Sequence, residues 1–392
     1  VVLPADRLEN ALRGRLEVAS PLKRGERATV VFDAGDAAWT FHMLGHRIRL
    51  AEGRAPRPTT TIIANPRILT ALLDGSQSGI DAFLSGELRI RGNMALALEL
   101  EGFDHPSKPL RFPRARRVQA RGIETFYLEA GQGPPIVLLH GLGATNASML
   151  PTLADLSRDY RVLAPDLPGF GGSGKPFARY HPLFFARWLS SFLSAAGVER
   201  AHLVGNSMGG RIAIETALRT PERIDRLVLY APSMAFRRLR AFVPIVRLLA
   251  AEMGALPMMV PRATVLTVLR TLFADPGRLA DAWYDAAADE FLRVFATARG
   301  RIAFFSAARQ IYIEEAYGAR GFWHRLGRLR RPALFLWGDR DRLVPHAFAR
   351  HVEAVVPQAE SIVLEDCGHV PQFEHPRLTH QLVRRFFGDP QS

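Results

Sequence analysis

A chain of 392 residues, 48% apolar and 23% charged, is long enough for two hydrophobic cores and excludes a disordered polymer. Its one cysteine, Cys367, excludes an intrachain disulfide and reads as a free buried thiol. The net charge of +13 rests on arginine, 48 of 51 basic residues, because only Lys23, Lys108 and Lys175 are lysines. No nucleic-acid recognition motif accompanies that bias, so a nucleic-acid partner is excluded and weak peripheral attraction to anionic lipid is expected.

The amino terminus, Val1 to Asn10, has no apolar stretch of the secretory kind, so a cytoplasmic placement is expected, membrane-peripheral at most. The missing methionine points to a start upstream of Val1. The longest uncharged run, Gln132 to Ala154, contains Pro134, Pro135, Gly141, Gly143, Asn146 and Pro151, and reads as strand, loop and helix start, not a membrane span.

Four β-type runs come first: Ala28–Phe32, Ala38–Met43, His46–Ala51 and Thr59–Ile63, punctuated by Gly35, Gly45 and Gly53 as antiparallel strands with tight turns would be. Asn65-Pro66 is a helix start, cap followed by first-turn proline, with Leu69, Leu72 and Leu73 at helical spacing behind it. Phe83 and Leu84 end a second helical patch, Glu87–Arg91 alternates as a strand, and Asn93 can cap a helix carrying Met94, Leu96, Leu98 and Leu100. This order, and especially Ala82-Phe83-Leu84-Ser85-Gly86-Glu87-Leu88-Arg89-Ile90-Arg91-Gly92-Asn93, resembles the sterol carrier protein lipid-binding domain over about residues 8–104. The resemblance implies a five-stranded sheet covered by helices and a tunnel for fatty acyl or sterol-like ligands. Self-association is the alternative role for this domain, assigned to residues 1–104.

Residues 105–120 hold Pro106, Pro109 and Pro113 among Lys108, Arg111, Arg114, Arg116 and Arg117, without an acid. Proline at this density blocks helix interiors and like charges favour extension, so a linker is predicted here.

From 121 to 392 strand and helix alternate, the signature of a mostly parallel sheet with helices on both faces. Predicted strands are Glu124–Leu128, Pro135–Leu139, Arg161–Ala164, Ala201–Val204, Leu227–Tyr230, Ala333–Trp337 and Ser361–Leu364. One helix should bury Leu183, Phe184, Trp188, Phe192 and Leu193, and a closing helix, Arg377 to Phe387, should bury Leu378, Leu382 and Phe386. Gly205-Asn206-Ser207-Met208-Gly209 sits between an apolar strand and a helix. A serine flanked by glycines there marks a strand-to-helix turn too tight for larger residues, which thrusts the hydroxyl out at the sheet edge. Gly169-Phe170-Gly171-Gly172-Ser173-Gly174 matches a dinucleotide fingerprint, but Lys175-Pro176 interrupts the required helix and no acid lies between Asp166 and Glu199. That reading is rejected.

His140-Gly141-Leu142-Gly143, Asp166-Leu167-Pro168-Gly169-Phe170-Gly171, Gly205-Asn206-Ser207-Met208-Gly209-Gly210, Trp337-Gly338-Asp339-Arg340-Asp341 and Gly368-His369 together resemble the α/β-hydrolase fold family, in its order, over about residues 121–388. The expected fold class is therefore α/β, a mostly parallel sheet with a helical cap at about 234–328, preceded by a small α+β domain. Ser207 is the expected nucleophile and needs a base to take its proton. His369 fits, following a strand by a short loop, better than His375 or His346. Asp341 is expected to orient the histidine; Asp339 is the runner-up, and the family's Trp-Gly-x-x-Asp spacing points to Asp341. Backbone N–H groups of Met208 and, by the resemblance, Leu142 should stabilise the oxyanion. Met253, Met258 and Met259 in the cap are expected to supply an adaptable apolar pocket lining.

The expected activity is hydrolysis of a hydrophobic or lipid-like acyl ester, through an acyl-enzyme and without metal or organic cofactor. Carbon–carbon bond hydrolysis or acyl transfer by the same residues, and a lipid carrier with a non-catalytic hydrolase half, are the alternatives. Oligomeric state is not readable.

Overall fold

The computed structural model describes residues 6–7, 10, 22, 25–74, 76–101, 113–235, 251–312 and 314–388, and the chain divides into two units. The first comprises residues up to Ala115 together with Ala280–Arg293; the second comprises Arg116–Leu279 and Val294–Ser392.

The first unit is built on strands β1 (Arg27–Asp33), β2 (Ala38–Leu44), β3 (Arg47–Glu52), β4 (Thr60–Ala64) and β5 (Leu88–Gly92), in the order β3-β2-β1-β4-β5. The hairpins pair antiparallel, β1 runs parallel to β4, and β4 pairs antiparallel with β5. Alternation along β5 explains its pairing face: Leu88 and Ile90 are buried while Arg89 and Arg91 are exposed. The predicted caps are in place. Asn65 Oδ1 accepts from Ile68 N–H at 3.0 Å ahead of helix Pro66–Asp74, and Asn93 Oδ1 accepts from Leu96 N–H at 3.2 Å ahead of helix Met94–Glu101. Helix Met94–Glu101 is buried nearly all round, as its sequence Met-Ala-Leu-Ala-Leu-Glu-Leu-Glu allows.

Ala280–Arg293 completes this unit, although it lies inside the stretch predicted as cap. Trp283 packs on Phe83 with ring centroids 4.2 Å apart. Asp289 Oδ2 accepts from Arg91 Nε at 2.6 Å and from Gly92 N–H at 3.2 Å, while Glu290 Oε2 accepts from Met94 N–H at 3.2 Å. Two carboxylates thus sit at the amino-terminal end of helix Met94–Glu101, where its unpaired N–H groups and dipole favour negative charge.

The second unit holds an eight-stranded sheet of β6 (Arg114–Ala120), β7 (Ile123–Ala130), β8 (Pro135–Leu139), β9 (Arg161–Pro165), β10 (Ala201–Asn206), β11 (Ile224–Tyr230), β12 (Ala333–Gly338) and β13 (Glu360–Leu364). Their order is β13-β12-β11-β10-β8-β9-β7-β6, parallel from β13 to β9, with β7 antiparallel to β9. The central strands are buried on both faces, which is why they read as continuous apolar runs.

Three expectations need correction. Arg114–Ala120, predicted as linker, is the edge strand β6; an edge position tolerates exposed arginines, and the strand starts directly after Pro113. Residues 105–112 of that linker, and 236–250 of the cap, lie outside the described residues. Helix Pro182–Ala195 buries the predicted Trp188, Phe192 and Leu193, but at its start Phe185 is the buried residue while the predicted Leu183 and Phe184 are only half-buried. Helix Pro376–Phe387 buries Thr379, His380, Val383, Phe386 and Phe387 and leaves Leu378 45% exposed. Its polar inward residues have partners: Thr379 Oγ1 donates to the Pro371 carbonyl at 3.0 Å and His380 Nε2 lies 3.2 Å from Thr152 Oγ1.

Candidate active site

Ser207 stands between β10 and helix Met208–Arg219 with φ 54° and ψ −114°, a conformation that costs energy for any residue with a Cβ. The glycines explain how the turn closes. A methyl group at Gly205 would lie 2.5 Å from the Gly209 carbonyl carbon and from Gly210 N, and one at Gly209 would collide with the Leu139 carbonyl. Ser207 N–H donates to the Tyr230 carbonyl at 2.9 Å and its carbonyl accepts from Arg211 N–H at 3.1 Å, so the strain is held from both sides.

His369 and Asp341 lie beyond the carboxyl ends of β13 and β12. His369 Nδ1 donates to Asp341 Oδ2 at 2.7 Å, and both residues are buried. Asp341 Oδ1 accepts from Leu343 N–H at 2.7 Å and Val344 N–H at 2.9 Å, which fixes the carboxylate. With Nδ1 carrying the hydrogen, Nε2 is left with its lone pair. The backbone carbonyl of His369 accepts from Asn206 Nδ2 at 3.0 Å, tying the histidine loop to the residue before Ser207. The Ser207 hydroxyl itself is hydrogen-bonded to Ser233 Oγ at 3.3 Å, and Ser233 N–H donates to the Ser207 carbonyl at 2.9 Å.

Asp339, the runner-up, serves the histidine loop instead, where its Oδ1 accepts from Cys367 N–H at 3.0 Å. Burial would raise its pKa, but donated backbone N–H groups from Cys367, Asp366 and Arg340 outweigh that and hold it low. His346 is exposed, and His375 Nε2 lies 3.0 Å from the Asp366 carbonyl. Cys367 is free and buried, and burial pushes its thiol pKa up, which keeps it protonated and unreactive.

Sequence reasoning missed Glu374. Its carboxylate accepts from Gly368 N–H and from Ala274 N–H, both at 2.7 Å, while His369 N–H donates to the Leu272 carbonyl at 2.7 Å. The histidine loop is therefore held by segment 272–274 and by an acid five residues further on. The spacing of Glu374 from His369 was the only trace of this in the sequence.

The loop after β8 carries Leu142, half-buried against the core. A methyl group at Gly141 would sit 3.5 Å from Ser207 Cβ and from Asn206 Oδ1, so this loop lies against the elbow. His140 anchors it: Nε2 accepts from Leu167 N–H at 2.9 Å, so Nδ1 is the donor to the Gly141 carbonyl at 2.8 Å. Burial pushes this imidazole down to about 4, so it stays neutral. The rejected glycine motif now has a purpose. Asp166 Oδ2 accepts from Gly172 N–H at 2.6 Å and its Oδ1 from Asn146 N–H at 2.7 Å, while Gly171 leaves the room a side chain would take from that carboxylate. Among the described residues, no group of three His, Cys, Asp or Glu side chains converges to hold a metal.

Of the three cap methionines expected to line a pocket, Met253 and Met259 are 38% and 98% exposed and Met258 is half-buried, so they do not form an enclosed lining.

The family model of the alpha/beta hydrolase fold matches residues 134–376, and that of the SCP-2 sterol transfer family matches residues 8–103. The 2-hydroxymuconate semialdehyde hydrolase of Pseudomonas sp. (strain CF600) is 31% identical over 283 residues, covering 70% of this chain and 94% of that protein. Among solved structures, a membrane phospholipase A described as a bacterial virulence factor matches with a TM-score of 0.61 and 28% identity, over 82% of this chain and 96% of that one. A meta-cleavage product hydrolase from Pseudomonas fluorescens IP01 matches with a TM-score of 0.58 and 25% identity, over 69% and 97% respectively.

Proposed function

The chain belongs to the α/β-hydrolase fold family, and from that premise we propose that it is a serine hydrolase cleaving carboxylic esters of hydrophobic, lipid-like acyl substrates. Ser207 Oγ attacks the acyl carbon while His369 Nε2 takes its proton. Asp341, already bonded to Nδ1, stabilises the imidazolium. The oxyanion is met by the N–H groups of Met208 and Leu142, and His369 returns the proton to the departing alcohol. Water, deprotonated by the same nitrogen, then releases the acid from Ser207. The observation that carries this reading is the 2.7 Å bond between buried His369 and Asp341 at the sheet edge that presents a strained serine.

The substrate class rests on the sterol-transfer module and on the phospholipase A similarity. Ser207→Ala should abolish hydrolysis of p-nitrophenyl acyl esters and labelling by a fluorophosphonate, with an unchanged thermal melt. Undiminished turnover by that variant rejects the mechanism. An unlabelled parent that co-purifies with lipid instead supports a carrier with an inactive hydrolase half.

A second reading, carbon–carbon bond hydrolysis beside a ketone, is favoured by the 31% identical 2-hydroxymuconate semialdehyde hydrolase. Comparing kcat/KM for acyl esters of increasing length with that for a 2-hydroxy-6-oxo-dienoate separates the two. A dienoate turned over far faster than any ester establishes the second.

A further inference from the structure

The chain that leaves β11 is bent back onto Ser207 at a cost. Ala231 has φ 41°, a left-handed conformation that its own Cβ and the following Pro232 both disfavour. Hydrogen bonds on either side hold it there. The Tyr230 carbonyl accepts from Ser207 N–H at 2.9 Å and from Asn206 Nδ2 at 3.1 Å, and Ala231 N–H donates to the Leu336 carbonyl at 2.8 Å. Pro232 covers Gly210, where a methyl group would lie 2.8 Å from the proline Cβ. Strain held this firmly at a non-glycine residue marks a place where the fold is positioning something. What it positions is Ser233. The Ser233 N–H donates to the Ser207 carbonyl at 2.9 Å, and its Oγ lies 3.3 Å from Ser207 Oγ. Among the described residues, Ser233 Oγ is the hydrogen-bond partner of the Ser207 hydroxyl.

The role of this second hydroxyl follows from where the hydrogens are during the reaction. In the free protein either hydroxyl can donate to the other. Once Ser207 Oγ is acylated it carries no hydrogen, so Ser233 O–H is the donor of the pair. An ester alkyl oxygen is a weak acceptor, and 3.3 Å is long for an O–H···O bond. When the C–Oγ bond breaks, its electron pair goes to Oγ, and a hydrogen bond to a charged oxygen is shorter and about twice as strong. The bond therefore strengthens between the acyl-enzyme and the transition state, which is the condition for accelerating a step. In acylation the gain is smaller, because the starting oxygen is a hydroxyl that already holds the bond.

We propose that Ser233 is a further catalytic residue, whose hydroxyl donates to Ser207 Oγ as that oxygen leaves the acyl group and so speeds deacylation. The inference rests on the serine mechanism proposed above. Water adds to the acyl carbon while His369 Nε2 takes its proton. The C–Oγ bond then breaks, Nε2 returns that proton to Oγ, and Ser233 keeps its own hydrogen throughout.

The test is hydrolysis of p-nitrophenyl butyrate by the full chain, whose good leaving group makes deacylation the slower step, with intact-mass detection of the butyryl-enzyme. Ser233→Ala should lower kcat at least about tenfold, and KM with it, with an unchanged thermal melt. Its kcat/KM, which reports acylation, should stay within about threefold of the parent, and butyryl-enzyme should accumulate. Ser233→Thr, which keeps a hydroxyl, should deacylate faster than Ser233→Ala. Three results overturn the inference alone: a parental kcat in Ser233→Ala, an equal loss in kcat and kcat/KM, or alanine and threonine variants that are equally slow. Undiminished turnover by Ser207→Ala removes the serine mechanism and this inference together, so the two failures are told apart.

Discussion

His369 has its two ring nitrogens set apart by what surrounds them. Asp341 accepts the Nδ1 hydrogen, and the backbone donors of Leu343 and Val344 keep that carboxylate aimed. An amide in its place could not hold the same tautomer. Asp341→Asn should therefore lower kcat by about 10³ to 10⁴ with little change in KM, measured on a p-nitrophenyl ester. An Asp341→Asn enzyme within tenfold of the parent removes Asp341 from the proposed mechanism. The Asp341–His369 pair was legible because each residue follows a recognisable apolar strand at a characteristic distance. Glu374 and Ser233 were not. Glu374 works by accepting from the backbone of Ala274, 100 residues away, and any segment can offer a backbone N–H. Ser233 meets Ser207 only because β11 runs beside β10.

The strand–turn–helix element around Ser207 tolerates no added carbon. Gly209→Ala would drive a methyl group into the Leu139 carbonyl on the neighbouring strand, and neither backbone can yield without disturbing the sheet. We expect a loss of about 3 kcal/mol or more, read as a lower urea midpoint, together with a loss of activity. A Gly209→Ala protein with parental stability would mean that the turn is looser than described. Elements of this kind were readable from glycine placement and apolar runs, as were the caps at Asn65 and Asn93. Helix faces were less so. In Pro376–Phe387 the sequence offers Leu378 and Leu382 as the apparent core positions, whereas the helix buries Thr379 and His380 because Pro371 and Thr152 give them hydrogen bonds. Periodicity weighs residue type and is blind to a polar group that finds a partner inside.

Across the whole molecule, two buried histidines and one half-buried one couple folding to pH. Burial pushes His140, His202 and His380 each down to about 4 in the folded chain, against the ordinary 6.5. On acidification the unfolded chain takes up these protons first. The stabilising contribution is therefore full above about pH 6.5 and is lost progressively as pH falls toward about 4. The melting temperature should fall between about pH 7.5 and pH 5 at constant ionic strength, and His202→Phe should make that fall shallower. A melt flat across the interval, or one equally steep in the variant, contradicts this. The division into units was the least legible feature, because Ala280–Arg293 belongs with residues far earlier in the chain and carries no mark of it. That separation matters while the chain is being made. The first unit lacks Trp283, Asp289 and Glu290 until residue 293 has been added, 293 − 115 = 178 residues after the first piece ends. At a synthesis rate of about 5 to 20 residues per second, the module waits on the order of ten to forty seconds for its last helix. Throughout that interval the nascent chain has Phe83 without its ring partner and helix Met94–Glu101 without its acidic caps, which makes this module a place for chaperones to act.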